Sequence, residues 1–196
     1  MSERQPFTPD LVLQAYEMGY FPMAEPDGEI AWFSPDPRCV FELDRLKVSR
    51  SLRKAVRAGT FEIRIDSAFA ETMRACADRA DGTWISPLIA QVYQQLHLLG
   101  FAHSVETWLN GELAGGLYGV SLGGAFFGES MFHRVTDASK VALVALVERM
   151  TVRGFSLLDC QWLTPHLESL GAVEISRDEY LKRLALALLS DTKFVD

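Results

Sequence analysis

The feature that most constrains the fold is a run of strand-like segments between residues 102 and 132. Asn110-Gly111 separates the first two segments, 102–109 and 112–121, and is a strong signal for a type I′ hairpin turn. Gly123-Gly124 then turns the chain into a third segment at 125–132. This part of the chain is therefore expected to form a hairpin followed by a third strand.

A long helix and another buried strand are predicted to follow. Thr136 or Asp137 is suited to cap the helix, residues 141–147 are all apolar, and Gly154 ends it. Residues 155–161 then resemble a buried strand. The order hairpin, third strand, long helix and strand is that of the acyl-CoA N-acetyltransferase superfold, so we expect an α+β fold with a GNAT-like domain.

The N-terminal part of the chain has a different character. Thr8 and Pro9 begin a first helix, which Gly19 ends. Pro35 and Pro37 hold the chain extended a little further on, because proline disfavours regular helix at and before its position. We place a domain boundary there, with a small N-terminal domain at 1–37 and the GNAT-like catalytic domain at 38–196.

The composition excludes several classes of protein. No stretch of about 18 residues is free of charged and polar side chains, and the first residues lack a basic start with an apolar run behind it. The three cysteines, Cys39, Cys76 and Cys160, form no C-x-x-C motif, and the four histidines form no H-x-x-x-H pair. We therefore expect a cytoplasmic protein with no membrane span, signal peptide, disulfide framework or metal site.

A cluster of basic residues stands out in a chain whose net charge is −7. Ser49 begins a short helix that Gly59 ends, and four cations fall at i, i+3, i+4 and i+7 on one face of it: Arg50, Arg53, Lys54 and Arg57. One interpretation is a solvated surface helix. The other is a contact with the phosphate backbone of a nucleic acid, which the local concentration of charge allows in spite of the acidic total.

The turn before the long helix argues against coenzyme A as the acyl donor. Acyl-CoA enzymes of this superfold hold pyrophosphate on a glycine-rich turn, where backbone N–H groups and the helix dipole bind the anion. Residues 133–140 contain no glycine, and Asp137 would place a carboxylate near the phosphates. An acyl donor other than CoA is therefore expected.

Nine runs distributed along the chain resemble the bacterial leucyl/phenylalanyl-tRNA–protein transferases. They are YFPM at 20–23, WFSPDPR at 32–38, GTWI at 82–85, HSVETW at 103–108, GGLYGV at 115–120, GESMF at 128–132, ASK at 138–140, LDCQ at 158–161 and SLGA at 169–172. Each run alone is weak, but together they follow the order of the family over nearly the whole length. The chain departs from some members in having Met23 where they have tryptophan, and it begins later than the longer members.

The resemblance implies a function with two substrates. An enzyme of this family transfers Leu or Phe, and Met less well, from aminoacyl-tRNA to a protein with N-terminal Arg or Lys, which marks that acceptor for degradation. The aminoacyl ester is already activated, so no ATP, metal, cofactor or covalent intermediate is required. The enzyme must align the two substrates and remove a proton from the attacking amine, whose pKa is about 8 when free.

Three polar residues are the candidates for the proton transfer. Asp159 and Gln161 are two apart in a predicted strand and are expected to share a face, with Cys160 on the other. The resemblance makes them a relay for the amine, whereas the residues alone also allow Asp159 to cap a turn. Glu129 is placed in the active site by resemblance, where an anion would favour a cationic acceptor; a lone glutamate in this context is otherwise more often structural.

The resemblance also assigns residues that bind the donor. Leu117, Phe126, Met131 and Leu146 match the pocket for the donor side chain, although each is equally compatible with a position in the core. Trp84 is suited to stack on the terminal adenine. Two alternatives remain open at this level, a small-molecule N-acetyltransferase that uses CoA and a non-catalytic RNA-binding module that uses the basic helix.

Overall fold

A mixed sheet of seven strands forms the centre of the computed structural model, which describes residues 6–80 and 82–196. The strands are β1 (Phe21–Ala24), β2 (Ile30–Phe33), β3 (Arg38–Phe41), β4 (Glu62–Ile65), β5 (Ala102–Leu109), β6 (Glu112–Leu122), β7 (Ala125–His133), β8 (Leu157–Gln161) and β9 (Val173–Ile175). The helices are α1 (Pro9–Glu17), α2 (Arg50–Arg57), α3 (Phe69–Ala77), α4 (Pro87–Leu98), α5 (Ala138–Arg153), α6 (Pro165–Ser169) and α7 (Arg177–Ala187). The order across the sheet is β4-β5-β6-β7-β8-β3-β9, and β1 and β2 form a separate hairpin.

The predicted hairpin and third strand are confirmed. β5 and β6 pair antiparallel across a turn in which Asn110 and Gly111 have φ of 53° and 82°, and β7 adds antiparallel to β6. The helix α5 then crosses over to β8, which pairs parallel to β7, whereas the other pairs in the sheet are antiparallel. This arrangement is the order that predicted the GNAT-like fold, and the class is α+β as expected.

The parallel pair β7–β8 is short, and its end creates a gap in the sheet. The register runs from Ala125 opposite Leu157 to Phe127 opposite Asp159. Beyond that point β7 continues to His133, paired with β6, while β8 pairs only with β3. The two strands therefore stop pairing after Phe127 and Asp159.

The helix α5 covers one face of the sheet next to this gap. Nine of its residues are buried, including Ala138, Val141 and Leu146, as its apolar sequence predicted. The helix lies close to β6 because Gly115 has no side chain there; a Cβ at Gly115 would come within 2.6 Å of the Cβ of Ala138. Asp137 precedes the helix with a φ of 66°, but its carboxylate pairs with Lys140 and does not cap a helical N–H as predicted.

The opposite face of the sheet is covered by α1, α3, α4 and α7. Their buried residues, among them Tyr16, Phe69, Tyr93 and Tyr180, form one continuous core with Tyr118 of β6. The helix α1 begins as predicted, with the Thr8 hydroxyl accepting the Leu11 N–H and Pro9 in the first turn.

The N-terminal segment thus shares its core with the rest of the chain. The domain division at residue 37 stays a prediction, and residues 1–5 of that segment, which include most of the stretch used to exclude a signal peptide, lie outside the described residues. No helix in the described part of the chain is long and apolar enough to cross a membrane.

Candidate active site

A cavity of about 660 Å³ opens where β7 and β8 separate. Six of the residues predicted for the site line this cavity: Trp84, Leu117, Glu129, Met131, Leu146 and Gln161. They come from four different elements and one loop, so the fold brings together residues up to 77 positions apart. Phe126, Asp159 and the four cations of α2 do not line the cavity.

One wall of the cavity is apolar. Leu117 projects from β6, Met131 from β7, and Leu143 and Leu146 from successive turns of α5. The three leucines are almost fully buried, whereas Met131 is partly exposed toward the opening. The wall is therefore suited to bury an aliphatic or aromatic side chain, and the flexible Met131 side chain allows different shapes to fit.

Phe126 contributes to the core beneath this wall and not to its surface. The side chain is completely buried, and its ring packs against Phe194 with the centroids 5.0 Å apart. It also occupies the space left by Gly119, where a Cβ would lie 2.5 Å from the ring. The geometry therefore does not support the expected contact between Phe126 and a donor side chain, because other core residues surround the ring.

Glu129 forms the polar end of the cavity and is held by uncharged groups. Its Oε1 accepts hydrogen bonds from the Tyr16 hydroxyl at 2.5 Å and from Gln161 Nε2 at 3.1 Å. Tyr93 lies 2.5 Å from the Tyr16 hydroxyl and 3.4 Å from Oε2 of Glu129. No Lys or Arg among the described residues forms an ion pair with this carboxyl group.

This environment changes the protonation of Glu129. Burial, with a contribution from the nearby Asp159 charge, raises the pKa of Glu129 to about 8, although the hydrogen bonds from Tyr16 and Gln161 and the charge of Arg38 oppose the shift. A carboxyl group with a pKa in this range exchanges a proton near neutral pH. The carboxyl group can therefore change its charge near neutral pH, and the anion that the resemblance places here stays a prediction.

Asp159 has the opposite environment one strand away. Its Oδ1 accepts from Arg38 Nε at 2.8 Å, and its Oδ2 accepts from Arg38 Nη2 at 2.6 Å and from the Tyr180 hydroxyl at 2.9 Å. Both side chains of the ion pair are 1% exposed. The carboxylate is thus fully used by partners and separated from the cavity.

Arg38 connects this ion pair to the N-terminal segment. Its Nη1 donates to the carbonyl oxygen of Gly19, and its guanidinium lies between the rings of Phe21 and Tyr180, 4.7 and 4.4 Å from their centroids. Burial disfavours the charge on Arg38, but Asp159 more than compensates and raises its pKa above the ordinary value. Arg38 therefore stays charged and fixes β3, β8, α7 and the end of α1 relative to one another.

The end of β8 differs from the predicted alternation. Gln161 has a φ of 66°, its N–H donates to Asp159 Oδ1 at 2.9 Å, and the register of β3 against β8 shifts at this point. As a result Gln161 and Cys160 both line the cavity, and Asp159 does not. The prediction that Asp159 and Gln161 share a face is wrong, because this turn interrupts the period of two that a regular strand would keep.

The two cysteine thiols that line the cavity have raised pKa values. Burial raises the pKa of Cys160 well above its ordinary value and that of Cys76 to about 12. Both line the cavity as neutral thiols, which are poor nucleophiles.

Two tryptophans lie at the opening of the cavity. Trp84 is half-buried, and its carbonyl oxygen accepts the N–H of Ala24, so the loop that carries it is attached to β1 next to Met23. Trp162 follows Gln161, is 39% exposed, and packs edge-on against Phe21 with the centroids 4.9 Å apart. The opening therefore presents aromatic surface on both the N-terminal hairpin side and the β8 side.

The basic helix α2 lies apart from the cavity. Ser49 caps it as predicted, Leu52 is buried against the core, and its four cations are all exposed: Arg50, Arg53, Lys54 and Arg57. Among the described residues none of the four forms an ion pair. The helix thus presents an unneutralised positive face to the solvent.

The described residues contain no group of three or more His, Cys, Asp or Glu side chains that could hold a metal ion. The turn between β7 and α5 carries the ion pair of Asp137 with Lys140 in the place where a pyrophosphate-binding turn would be.

The sequence analysis did not assign a role to three residues that hold the carboxyl groups of the site. Tyr16 and Tyr93 come from helices α1 and α4, far from β7 in sequence, and nothing local distinguishes them from core tyrosines. For Arg38 the sequence contains a weak signal, because this arginine directly precedes the apolar segment Cys39–Phe41. An arginine that is buried together with such a strand requires a buried partner for its charge.

The comparisons with known proteins agree with this arrangement. A curated leucyl/phenylalanyl-tRNA–protein transferase of Gloeobacter violaceus is 57% identical over 95% of this chain and 97% of its own length. The corresponding protein of Herpetosiphon aurantiacus is 55% identical, with the same shares covered. A solved GCN5-related N-acetyltransferase-like protein from Streptococcus suis 89/1591 has a TM-score of 0.41 and 15% identity over 85% of this chain and 64% of that one, too distant to add to the topology.

Two sequence models of one family match this chain, each over a different segment. Residues 5–36 match the N-terminal domain of the leucyl/phenylalanyl-tRNA protein transferases, and residues 40–185 match the transferase itself. Together with the identities above, this match shows that the chain belongs to the leucyl/phenylalanyl-tRNA–protein transferase family.

Proposed function

We propose that this protein is an aminoacyltransferase that moves Leu or Phe, and Met less well, from charged tRNA to the α-amino group of proteins with N-terminal Arg or Lys. The acceptors are thereby marked for degradation, and the reaction takes place in the cytoplasm, where charged tRNA is present. The observation that carries the proposal is the cavity itself, in which an apolar wall ends at the carboxyl group of Glu129 and the amide of Gln161.

The apolar wall is assigned to the donor side chain. Leu117, Met131 and Leu146 enclose a space in which a leucyl or phenylalanyl group is removed from water, and each buried CH₂ contributes about 0.8 kcal/mol. The aminoacyl ester then lies toward Glu129 and Gln161. Trp84 is assigned to the terminal adenine, since it lies at the opening on the side of β1.

Glu129 is assigned the proton transfer. The acceptor amine has a pKa of about 8 in solution, which matches the pKa of about 8 for Glu129. In its ionised form Glu129 accepts a proton from the α-ammonium group, and the neutral amine attacks the ester carbonyl carbon. The C–N bond forms, the ester C–O bond breaks, and a second proton from the nitrogen passes to the departing 3′ oxygen of the tRNA, so that the charges balance.

Gln161 and Asp159 are assigned different roles in this reaction. The Gln161 amide contacts Glu129 and lines the cavity, so it is placed to orient the carboxyl group or the amine. Asp159 holds the Gln161 N–H and is saturated by Arg38, so we propose a positioning role for it and no proton transfer. This differs from the relay that the resemblance implied.

The acceptor and the tRNA body are assigned to charged surfaces. Two acidic residues line the cavity, Asp78 and Glu129, and a carboxylate at Asp78 or at the ionised form of Glu129 favours an acceptor with a cationic N-terminal side chain. The exposed face of α2 supplies Arg50, Arg53, Lys54 and Arg57 for phosphates of the tRNA, beyond the reach of the cavity.

A transfer assay tests the proposal directly. The protein is supplied with Leu- or Phe-charged tRNA and a peptide with N-terminal Arg, and the product is identified by its added mass; the same peptide with an acetylated N-terminus is the control. Transfer to the free peptide only is expected. Reversing the charge of Arg53 and Lys54 is expected to raise KM for the tRNA and flatten its salt dependence. Absence of transfer together with turnover of acetyl-CoA would sink the proposal in favour of an N-acetyltransferase.

A further inference from the structure

The cavity carries a single permanent cation, Arg79, in the loop that follows α3. Among the described residues that line the cavity, Arg79 is the only lysine or arginine. Burial lowers the pKa of His166 on the opposite side, with Lys140 and His133 adding to the shift, so this histidine is neutral at pH 7. The positive charge at the opening therefore comes from one side chain.

The guanidinium of Arg79 is held in a fixed position by uncharged acceptors. Its Nη2 donates to Ser130 Oγ at 2.9 Å and to the carbonyl oxygen of Met131 at 3.2 Å, and its Nε donates to the carbonyl oxygen of Cys76 at 3.1 Å. No described residue accepts a hydrogen bond from Nη1 or forms an ion pair with Arg79, although Asp78 is its neighbour in the chain. The charge is thus fixed and not neutralised.

The position of Arg79 lies between two parts of the proposed donor site. The Gly82 N–H donates to the Arg79 carbonyl oxygen, and Trp84 follows two positions after Gly82. On its other side, Arg79 contacts the backbone of Met131, whose side chain forms part of the apolar wall. A nucleoside that stacks on Trp84 and places its acyl group against Met131 would therefore pass in front of the guanidinium.

The chemistry of the donor identifies the anion that this cation meets. The terminal adenosine of a charged tRNA carries its acyl group on the 3′ oxygen of the ribose and one phosphodiester on the 5′ oxygen. We infer that Arg79 binds this last phosphodiester and thereby selects a nucleotide over a simple aminoacyl ester. A guanidinium with a free N–H edge is well matched to phosphate oxygens, and the three existing hydrogen bonds fix its orientation before the donor arrives.

The inference rests on the proposed function, and a binding experiment separates the two. Two unreactive amide analogues are compared by calorimetry: 3′-phenylalanylamido-adenosine, which has no phosphate, and the same nucleoside extended by a 5′-linked cytidine. R79Q is expected to weaken binding of the dinucleotide by about 10- to 100-fold and to leave the Kd of the nucleoside within about twofold. R79K should give an intermediate loss for the dinucleotide, because it keeps the charge without the planar donor edge.

R74Q is the matched control, since Arg74 is an exposed arginine of α3, the helix that precedes Arg79, and does not line the cavity; it should change neither Kd. Equal weakening of both analogues by R79Q would overturn the inference and assign Arg79 to the support of Ser130 and Met131. A loss confined to the KM of the acceptor peptide would assign it to the acceptor instead. Wild-type protein that binds the analogues but transfers nothing would refute the proposed function and leave the phosphate contact intact.

Discussion

Glu129 and Asp159 are both buried carboxyl groups at the end of the parallel pair β7–β8, yet their surroundings give them opposite chemistry. Asp159 faces the guanidinium of Arg38 in a bidentate ion pair. Glu129 faces hydroxyl and amide groups only, and burial raises its pKa to about 8. The difference shows that the partner of a buried carboxyl group, more than its position in the strand, decides whether it holds a charge or exchanges a proton.

The largest expected effect comes from removing the exchangeable proton. E129Q keeps the shape and both acceptor contacts of the side chain but cannot accept a proton from the amine. We expect kcat/KM for transfer to fall by about 10²- to 10⁴-fold, the usual contribution of a positioned base. Steady-state kinetics with charged tRNA measures this, and E112Q, at an exposed position on β6, serves as the control with unchanged rates. A loss of less than threefold would leave the proton transfer to the substrates themselves.

The second prediction concerns Asp159 and removes its ion-pair partner, Arg38. R38M leaves Asp159 buried without its cation, so the free energy of unfolding is expected to fall by about 3–5 kcal/mol in denaturant titrations. R64M removes one partner of the exposed pair with Glu62 and is expected to change the free energy of unfolding far less than R38M does. Similar losses for R38M and R64M would mean that Asp159 finds water or another partner when Arg38 is absent.

The third prediction concerns the pH dependence of stability. The folded protein keeps Glu129 protonated up to about pH 8, whereas the unfolded chain releases this proton near 4.5. The stability from this group is therefore complete below pH 4.5 and is lost as the pH rises through 8, by about 4 kcal/mol between pH 5 and pH 9. E129Q has no such proton. The free energy of unfolding of E129Q minus that of the wild type should therefore increase with pH. A constant difference across this range would contradict the raised pKa.

The smallest expected effect comes from removing one tyrosine hydroxyl group that contacts Glu129 or Asp159. The Tyr16 hydroxyl donates to Glu129 and lowers its pKa relative to burial alone, so Y16F should raise that pKa by on the order of half a unit. The titration of the Glu129 carboxyl ¹³C resonance measures the shift. Y180F removes a hydroxyl of the same kind from Asp159 and should leave the Glu129 resonance unchanged. Equal shifts in both variants would show that the two carboxyl groups titrate as one unit.

Much of the fold could be predicted because its signals are local. Asn110-Gly111 requires a turn with positive φ at both positions, and the apolar residues 141–147 require burial on most sides of a helix. The same holds for Ser49 and the cationic face of α2, since capping and helical spacing act within one or two turns. These elements lie where the sequence analysis placed them.

The candidate site was predicted less completely, because two of its features depend on long-range contacts. The prediction placed Asp159 and Gln161 on one face of a regular strand. In the structure Cys160 lines the cavity, the positive φ of Gln161 turns its side chain into the same cavity, and Asp159 lies on the other face. Phe126 matched the family's pocket in sequence, but Phe194 and the space left by Gly119 hold its ring in the core. Neither the turn at β8 nor the packing of the C-terminus leaves a local signal.

The sequence by itself determined the order of the strands and helices, the apolar and cationic faces, and which polar residues could reach one site. Only the tertiary structure decided how those residues are charged. The proton affinity of Glu129 depends on Tyr16, which lies 113 positions away, and Asp159 is paired with Arg38, which lies 121 positions away. Desolvation and Coulomb interactions act through space, so partners this distant in the chain acquire their effect only after the sheet and helices have packed.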